Sequence, residues 1–288
     1  MLAYWIARTA SVLACLLPSF AAEMLGEALG ALAWVVVPGK RKRMAVENIM
    51  GCLNASKEEA VRIAKASTTR FGPMLMEVLR FPILQKNMEE HVTIHGLEYL
   101  QEAVQSGRGG IIVTSHSGNW ELMGGALAQA GLPIVGVAMK QKSTGSDRFI
   151  NEQRTGIGMH ITYKTDVREM YDMLAKGWLI GLIMDQDTNR HDGIILDFFQ
   201  RPTNCVPGPA SMARFKKVPI FSSFMHRKQD GTHELTILPP MEVVCTKDKR
   251  EDIRKATQEL VRLQEEHIRE YPEEWFWLHD RWKSMREE

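Results

Sequence analysis

A chain of 288 residues with 44% apolar side chains, 25% charged side chains and a formal net charge of +1 has an ordinary globular composition. It is long enough to bury a large core, as one α/β domain with an extension or as two small domains. The balanced charge excludes a broad nucleic-acid-binding surface, and the apolar content excludes extensive disorder. Cys15, Cys52, Cys205 and Cys245 are scattered and form no CxxC pair, so neither a zinc site nor a disulfide framework is suggested and a reducing compartment fits.

The chain opens on apolar sequence. Thr9 to Ala22 carries no charge, and after Glu23 and Glu27 a second run, Ala28 to Val37, ends at Pro38. Neither run reaches the roughly 20 apolar residues of a spanning helix, and together they would span only by carrying those two carboxylates and Pro18. Lys40-Arg41-Lys42-Arg43 follows. Such a block suits anionic headgroups on a cytoplasmic face, each charge contributing about 1 kcal/mol near the surface. Residues 1–43 are therefore expected to form a hydrophobic membrane anchor with a basic patch, whether it spans or not, and residues 44–288 one cytoplasmic unit. Two helices packed on a soluble core are the competing reading. The only early charge is Arg8, too little basic character for a cleaved signal peptide.

From Val46 to Met88, apolar positions such as Val61, Ala64, Leu75, Val78 and Leu79 recur at helical spacing, and Ser56 with Glu59 stands in capping-box register. Between Gly109 and Arg227 the pattern changes. Short apolar runs at Gly110 to Val113, Ile134 to Met139, Trp178 to Met184 and Val218 to Met225 alternate with helical stretches at Trp120 to Ala130 and Val167 to Lys176. Strands alternating with helices predict an α/β fold with a mostly parallel central sheet flanked by helices. A turn around Gln229-Asp230-Gly231 and a charged amphipathic helix from Glu251 to Tyr271 complete it.

The run Gly109 to Glu121, GGIIVTSHSGNWE, reads as a strand, a polar turn and a helix start. Ligands in open α/β sheets bind at the carboxyl ends of strands, which places His116 well for chemistry. On one continuous helix His116 and Glu121 would lie about 140° apart, so they meet only with His116 in the turn and Glu121 in the first helical turn. Ser117 or Asn119 is positioned to cap that helix, whose dipole favours an ionised Glu121. A carboxylate bonded to one imidazole nitrogen leaves the other free as a general base, the geometry needed to deprotonate a hydroxyl. The expected catalytic pair is therefore His116 with Glu121 as its orienting partner. Asp185-Gln186-Asp187, at a strand end, admits a different reading, since Asp-x-Asp can chelate a divalent metal that holds a sugar nucleotide; a membrane-associated glycosyltransferase is the first rival, and a lipid-binding protein without catalysis the second. Phe198, Phe199, Trp275, Trp277 and Trp282 either line an apolar ligand groove, meet the membrane interface or fill the core.

Three stretches, Ile112 to Gly124, Gly181 to Asp187 followed by Asp197-Phe198-Phe199, and Tyr271 to Lys283 (YPEEWFWLHDRWK), resemble landmarks of the lipid A lauroyl/myristoyl acyltransferases, in family order and over nearly the whole chain. The resemblance implies transfer of a fatty acyl chain from acyl carrier protein, or from coenzyme A, to a hydroxyl of a lipid A precursor or related glycolipid, with another phospholipid or glycolipid as the alternative acceptor. The implied setting is the cytoplasmic face of a bacterial inner membrane, with no metal or other cofactor. It carries His116 over as base and Glu121 as partner. It also matches Arg154 to an arginine linked to the active site, where its fork suits a phosphate or the developing oxyanion. Lys140 matches a basic position after the second strand of the motif, and Asn119, Asp185, Gln186 and Asp187 are implied to shape the substrate site.

Overall fold

The computed structural model describes residues 1–286. Seven α-helices come first: α1 (Leu2–Leu16), α2 (Ser19–Val36), α3 (Gly39–Leu53), α4 (Lys57–Thr69), α5 (Phe71–Leu79), α6 (Phe81–Leu84) and α7 (Met88–His91). The α/β body runs β1 (Val92–His95), α8 (Leu97–Gln105), β2 (Gly110–Thr114), α9 (Trp120–Gln129), β3 (Ile134–Ala138), α10 (Thr144–Gly156), β4 (His160–Tyr163), α11 (Val167–Ala175) and β5 (Leu179–Ile183). It continues through β6 (Ile194–Phe198), β7 (Arg201–Cys205), α12 (Gly208–Lys216), β8 (Ile220–Arg227), β9 (His233–Ile237), α13 (Lys249–Glu270) and α14 (Lys283–Arg286).

Seven strands form one sheet in the order β1-β9-β8-β2-β5-β3-β4, parallel except where β8 and β9 pair as a hairpin. β2 lies near its middle and is buried along its whole length. Alternation along that strand divides the core: Ile111 and Val113 join the cluster packed with Leu260, Val261 and Trp275, whereas Ile112 joins Leu122, Leu127 and Phe221 on the other face. The expected fold class is thus observed. Edge strands β1 and β4 have no strand signal of the expected kind, since each has only four residues and one fully buried side chain. A further ribbon, β6 with β7, turns at Phe199 and Gln200, whose φ values of 54° and 58° are unusual for residues other than glycine. The hairpin therefore lacks the Asn-Gly signature by which it could have been read.

The N-terminal run breaks at Pro18 and Pro38, because proline disfavours helical backbone at the residue before it; Leu17 has ψ 140°. The expected boundary between residues 43 and 44 falls inside α3. α1 is tied to the body by Ser11 Oγ donating to the Leu79 carbonyl (2.6 Å) and by Arg80 donating to the carbonyls of Ala14 and Leu17 (2.6 and 2.7 Å). α2 crosses the α4–α5 junction backbone to backbone. A Cβ on Gly30 would lie 1.8 Å from the Thr69 carbonyl oxygen, and one on Gly72 1.9 Å from that of Gly26. The opposite faces of both helices present Trp5, Ile6, Leu13, Phe20, Leu32 and Val36 to the outside. α2 is the one helix among the described residues long and apolar enough to cross a membrane.

Candidate active site

His116 stands two residues beyond the end of β2, in the turn Ser115 to Asn119 before α9. The turn reverses at Gly118, where φ is 61° and a Cβ would meet the Met225 carbonyl at 2.1 Å, so only glycine fits. Asn119 caps α9, its Oδ1 accepting from the Leu122 amide at 3.0 Å.

The imidazole is held by Asp185, not by Glu121. His116 Nδ1 lies 2.8 Å from Asp185 Oδ1, and the His116 amide donates to Asp185 Oδ2 at 3.0 Å. Trp275 Nε1 donates to that same oxygen at 2.7 Å. With three N–H groups around it, the fully buried carboxylate stays ionised: burial alone would raise its pKa, but His116 and these bonds carry it below the usual range. The pairing fixes the neutral tautomer with the proton on Nδ1 and leaves Nε2 as acceptor. Gln186 Nε2 sits 3.4 Å from that nitrogen, and the Trp120 ring meets the imidazole edge-on at 4.9 Å. The His116 side chain keeps 23% of its surface exposed, against 2% for Asp185. Burial pulls the imidazole pKa down, yet the charge and bond of Asp185 more than offset this, and His116 titrates above an ordinary histidine.

Glu121 has a different partner. Its oxygens accept from Arg154 Nε (2.8 Å) and NH2 (2.6 Å), a two-pronged pair that leaves Glu121 10% and Arg154 17% exposed. The expectation that Glu121 orients His116 is therefore corrected: arginine, a permanent cation with a matching fork, holds the carboxylate, and Glu121 acts on the imidazole only through its charge. Two prongs of Arg154 being engaged by Glu121 and NH1 by Asn151 Oδ1 (3.2 Å), its fork serves the protein itself rather than standing open for a phosphate.

The other expected substrate contacts divide. Gln186 joins the site. Asn119 is buried, and besides capping α9 it donates to Glu77 Oε2 at 2.6 Å, a structural position. Asp187 accepts from the Ser284 amide (2.6 Å) and hydroxyl (2.7 Å), anchoring the C-terminal segment. Lys140 is exposed beyond β3 and joins no hydrogen bond of the site among the described residues. Both carboxylates of the Asp-x-Asp segment accept from protein groups, Asp185 from His116 and Trp275 and Asp187 from Ser284. The five aromatics fill the core: Phe198, Phe199, Trp275, Trp277 and Trp282 are each at most 4% exposed and contact one another edge-on or tilted.

Sequence reasoning named Asp185 and Trp275 but not their roles beside His116. Asp185 as the partner of His116 depends on β2 and β5 being neighbours, a fact of sheet order. Trp275 arrives from the C-terminal segment, which pairs with the His116 turn through Gly118 N to Glu274 O (3.2 Å) and Phe276 N to His116 O (3.1 Å).

The sequence model of a family described as bacterial lipid A biosynthesis acyltransferase matches residues 1–284. A phosphatidylinositol mannoside acyltransferase of Mycolicibacterium smegmatis is 26% identical over 78% of this chain and 73% of its own length. A lipid A biosynthesis palmitoleoyltransferase of Escherichia coli is 23% identical over 90% of this chain and 84% of its own. A crystal structure of the 1-acyl-sn-glycerophosphate acyltransferase PlsC from Thermotoga maritima aligns with TM-score 0.38 and 15% identity, over 79% of this chain and 94% of that one.

Proposed function

The chain belongs to the bacterial lipid A biosynthesis acyltransferase family, and we propose that it moves a fatty acyl chain from a thioester of acyl carrier protein or coenzyme A to a hydroxyl of a glycolipid, with His116 as general base. The observation that carries this reading is the 2.8 Å bond from Asp185 to His116 Nδ1, which leaves Nε2 unprotonated beside the partly open face of the site. The acceptor hydroxyl takes the place of the Gln186 amide at Nε2 and gives up its proton. Its oxygen attacks the thioester carbonyl. The oxyanion, met by backbone amides, collapses with loss of the thiolate, which takes the proton back from His116. Glu121, fixed by Arg154, adds negative charge that favours the transient imidazolium. The chemistry needs no cofactor beyond the thioester.

A lipid A precursor is the acceptor this family reading favours, with phosphatidylinositol mannoside-like glycolipids the alternative suggested by the mycobacterial relative. Purified protein given an acyl thioester and the membrane lipids of its host tests the reading: one lipid should gain one acyl mass with wild-type protein and none with His116→Ala.

We infer further that the protein works on the cytoplasmic face of the inner membrane. Tight docking of α1 and α2 on the body, with apolar residues outward and Lys40 to Arg43 alongside, supports helices lying in the leaflet rather than one crossing it. Flotation with anionic vesicles that survives a high-salt wash is the expected result, and complete release by salt would count against apolar insertion.

A further inference from the structure

Arg70 is the single residue between α4 and α5, at the point where Gly30 of α2 presses on Thr69. Its side chain reaches the catalytic turn: NH1 donates to the Gly118 carbonyl at 2.7 Å and NH2 to the His116 carbonyl at 3.1 Å. Its Nε is buried with no hydrogen-bond partner among the described residues. Among those residues no carboxylate pairs directly with it; Glu274, Asp185 and Glu77 act on it from farther away, and burial pushes its pKa down to about 10, which still leaves a cation at neutral pH. Drawing such a charge partly out of water without a carboxylate partner is unfavourable. Two turn carbonyls alone do not require it, because neutral donors satisfy carbonyls, as the Phe276 amide does for His116.

The charge has a second neighbour in His116. Among the described residues, Asp185 beyond β5, Glu121 on α9, Arg70 at the α4–α5 joint and His279 in the C-terminal segment act electrostatically with that imidazole. The two carboxylates strengthen its hold on a proton, and Arg70 opposes them. A base in acyl transfer must take a proton from the hydroxyl and then release it to the thiolate, so a hold that is too strong slows the second half.

We propose that Arg70 is a positioning residue for acyl transfer, fixing the His116-to-Gly118 turn through its two carbonyls while its partly buried charge offsets Asp185 and lets the imidazole release its proton. This rests on the acyl-transfer reading for its kinetic part only.

Full-length protein carrying Arg70→Lys or Arg70→Met tests it. With histidine isotopically labelled and His116→Gln used to assign its signal, the NMR titration of His116 should move upward by roughly half a pH unit or more in Arg70→Met and stay near wild type in Arg70→Lys. In both variants kcat should fall about ten- to a hundredfold, with the donor KM nearly unchanged, because a displaced turn misplaces the base. Should Arg70→Met not fold, Arg70→Gln takes its place with the same expected upward shift. An unshifted His116 titration in a folded, uncharged variant, or a loss confined to KM, overturns the proposal. If wild-type protein transfers no acyl chain while the titrations shift as described, the acyl-transfer reading fails and the electrostatic role of Arg70 stands.

Discussion

Thr114 and Ile183 face each other on adjacent parallel strands, and carrying that register two residues further brings His116 opposite Asp185, where the two side chains bond at 2.8 Å. The sheet itself thus aims the imidazole. Asp185→Asn should keep the fold but lose control of the tautomer, since an amide has one acceptor where the carboxylate now serves three N–H groups. Acyl transfer should fall by about 10²- to 10⁴-fold, the range that a positioned base contributes. Steady-state kinetics on purified protein measure it.

The pH dependence of activity follows from the same pair. His116 must be neutral to accept a proton, and Asp185 raises its pKa above the ordinary histidine value. The acid limb of kcat/KM should therefore fall above that value. In Glu121→Gln, which removes a neighbouring negative charge, the limb should move to lower pH. A limb that ignores this substitution would show that Glu121 does not act on the base electrostatically.

Stability should respond to pH through His267. Its Nε2 sits 2.9 Å from Ser117 Oγ and its ring stacks on Phe224, and burial pushes its pKa down to about 3. The unfolded chain binds this proton more readily than the folded one, so stability from His267 is full above the ordinary imidazole pKa of 6.5 and is lost progressively as the pH falls toward 3. His116 contributes with the opposite sign: its pairing stabilises fully below the ordinary imidazole pKa and is lost as the pH rises through its raised value. Thermal melts across pH, repeated with His267→Gln, separate the two.

How much of this was open to sequence reasoning depended on how local each feature is. The strand-turn-helix at Gly110 to Glu121 was legible because its signals lie within a dozen residues: an apolar run, the Ser-Gly-Asn insert and a cap at Ser117 or Asn119. The partner of His116 was not, because Glu121 is five residues away and Asp185 sixty-nine, and only the order of strands makes the distant carboxylate the nearer one. The C-terminal tryptophans were recognisable as a motif, but whether they faced substrate or core depended on β6 and β7, a ribbon whose Phe199-Gln200 turn carries no turn signature.

The docking of α2 gives a packing prediction. Gly30→Ala places a methyl group against the Thr69 carbonyl, where backbone leaves no room. Overpacking of this kind costs about 1–3 kcal/mol, and the displaced helix should also disturb the Arg70 turn behind it. A lowered melting temperature together with reduced kcat is expected, whereas a lowered melting temperature alone would show that α2 is mechanically separate from the site.

The Glu121–Arg154 pair should be strongly coupled. Removing either partner leaves a largely buried charge unmatched, at a cost of about 3–5 kcal/mol, while Glu121→Gln with Arg154→Gln should recover part of that loss. Denaturant unfolding of the two single variants and the double variant reads the coupling.

The most direct measurement compares acyl-transfer rates of purified Asp185→Asn and His116→Ala, each confirmed as folded, on a thioester donor and lipid acceptor under wild-type conditions. With the imidazole aimed by Asp185, both variants should lose nearly all activity and share most of that loss. An Asp185→Asn protein that keeps most of the wild-type rate while His116→Ala is inactive would contradict the account.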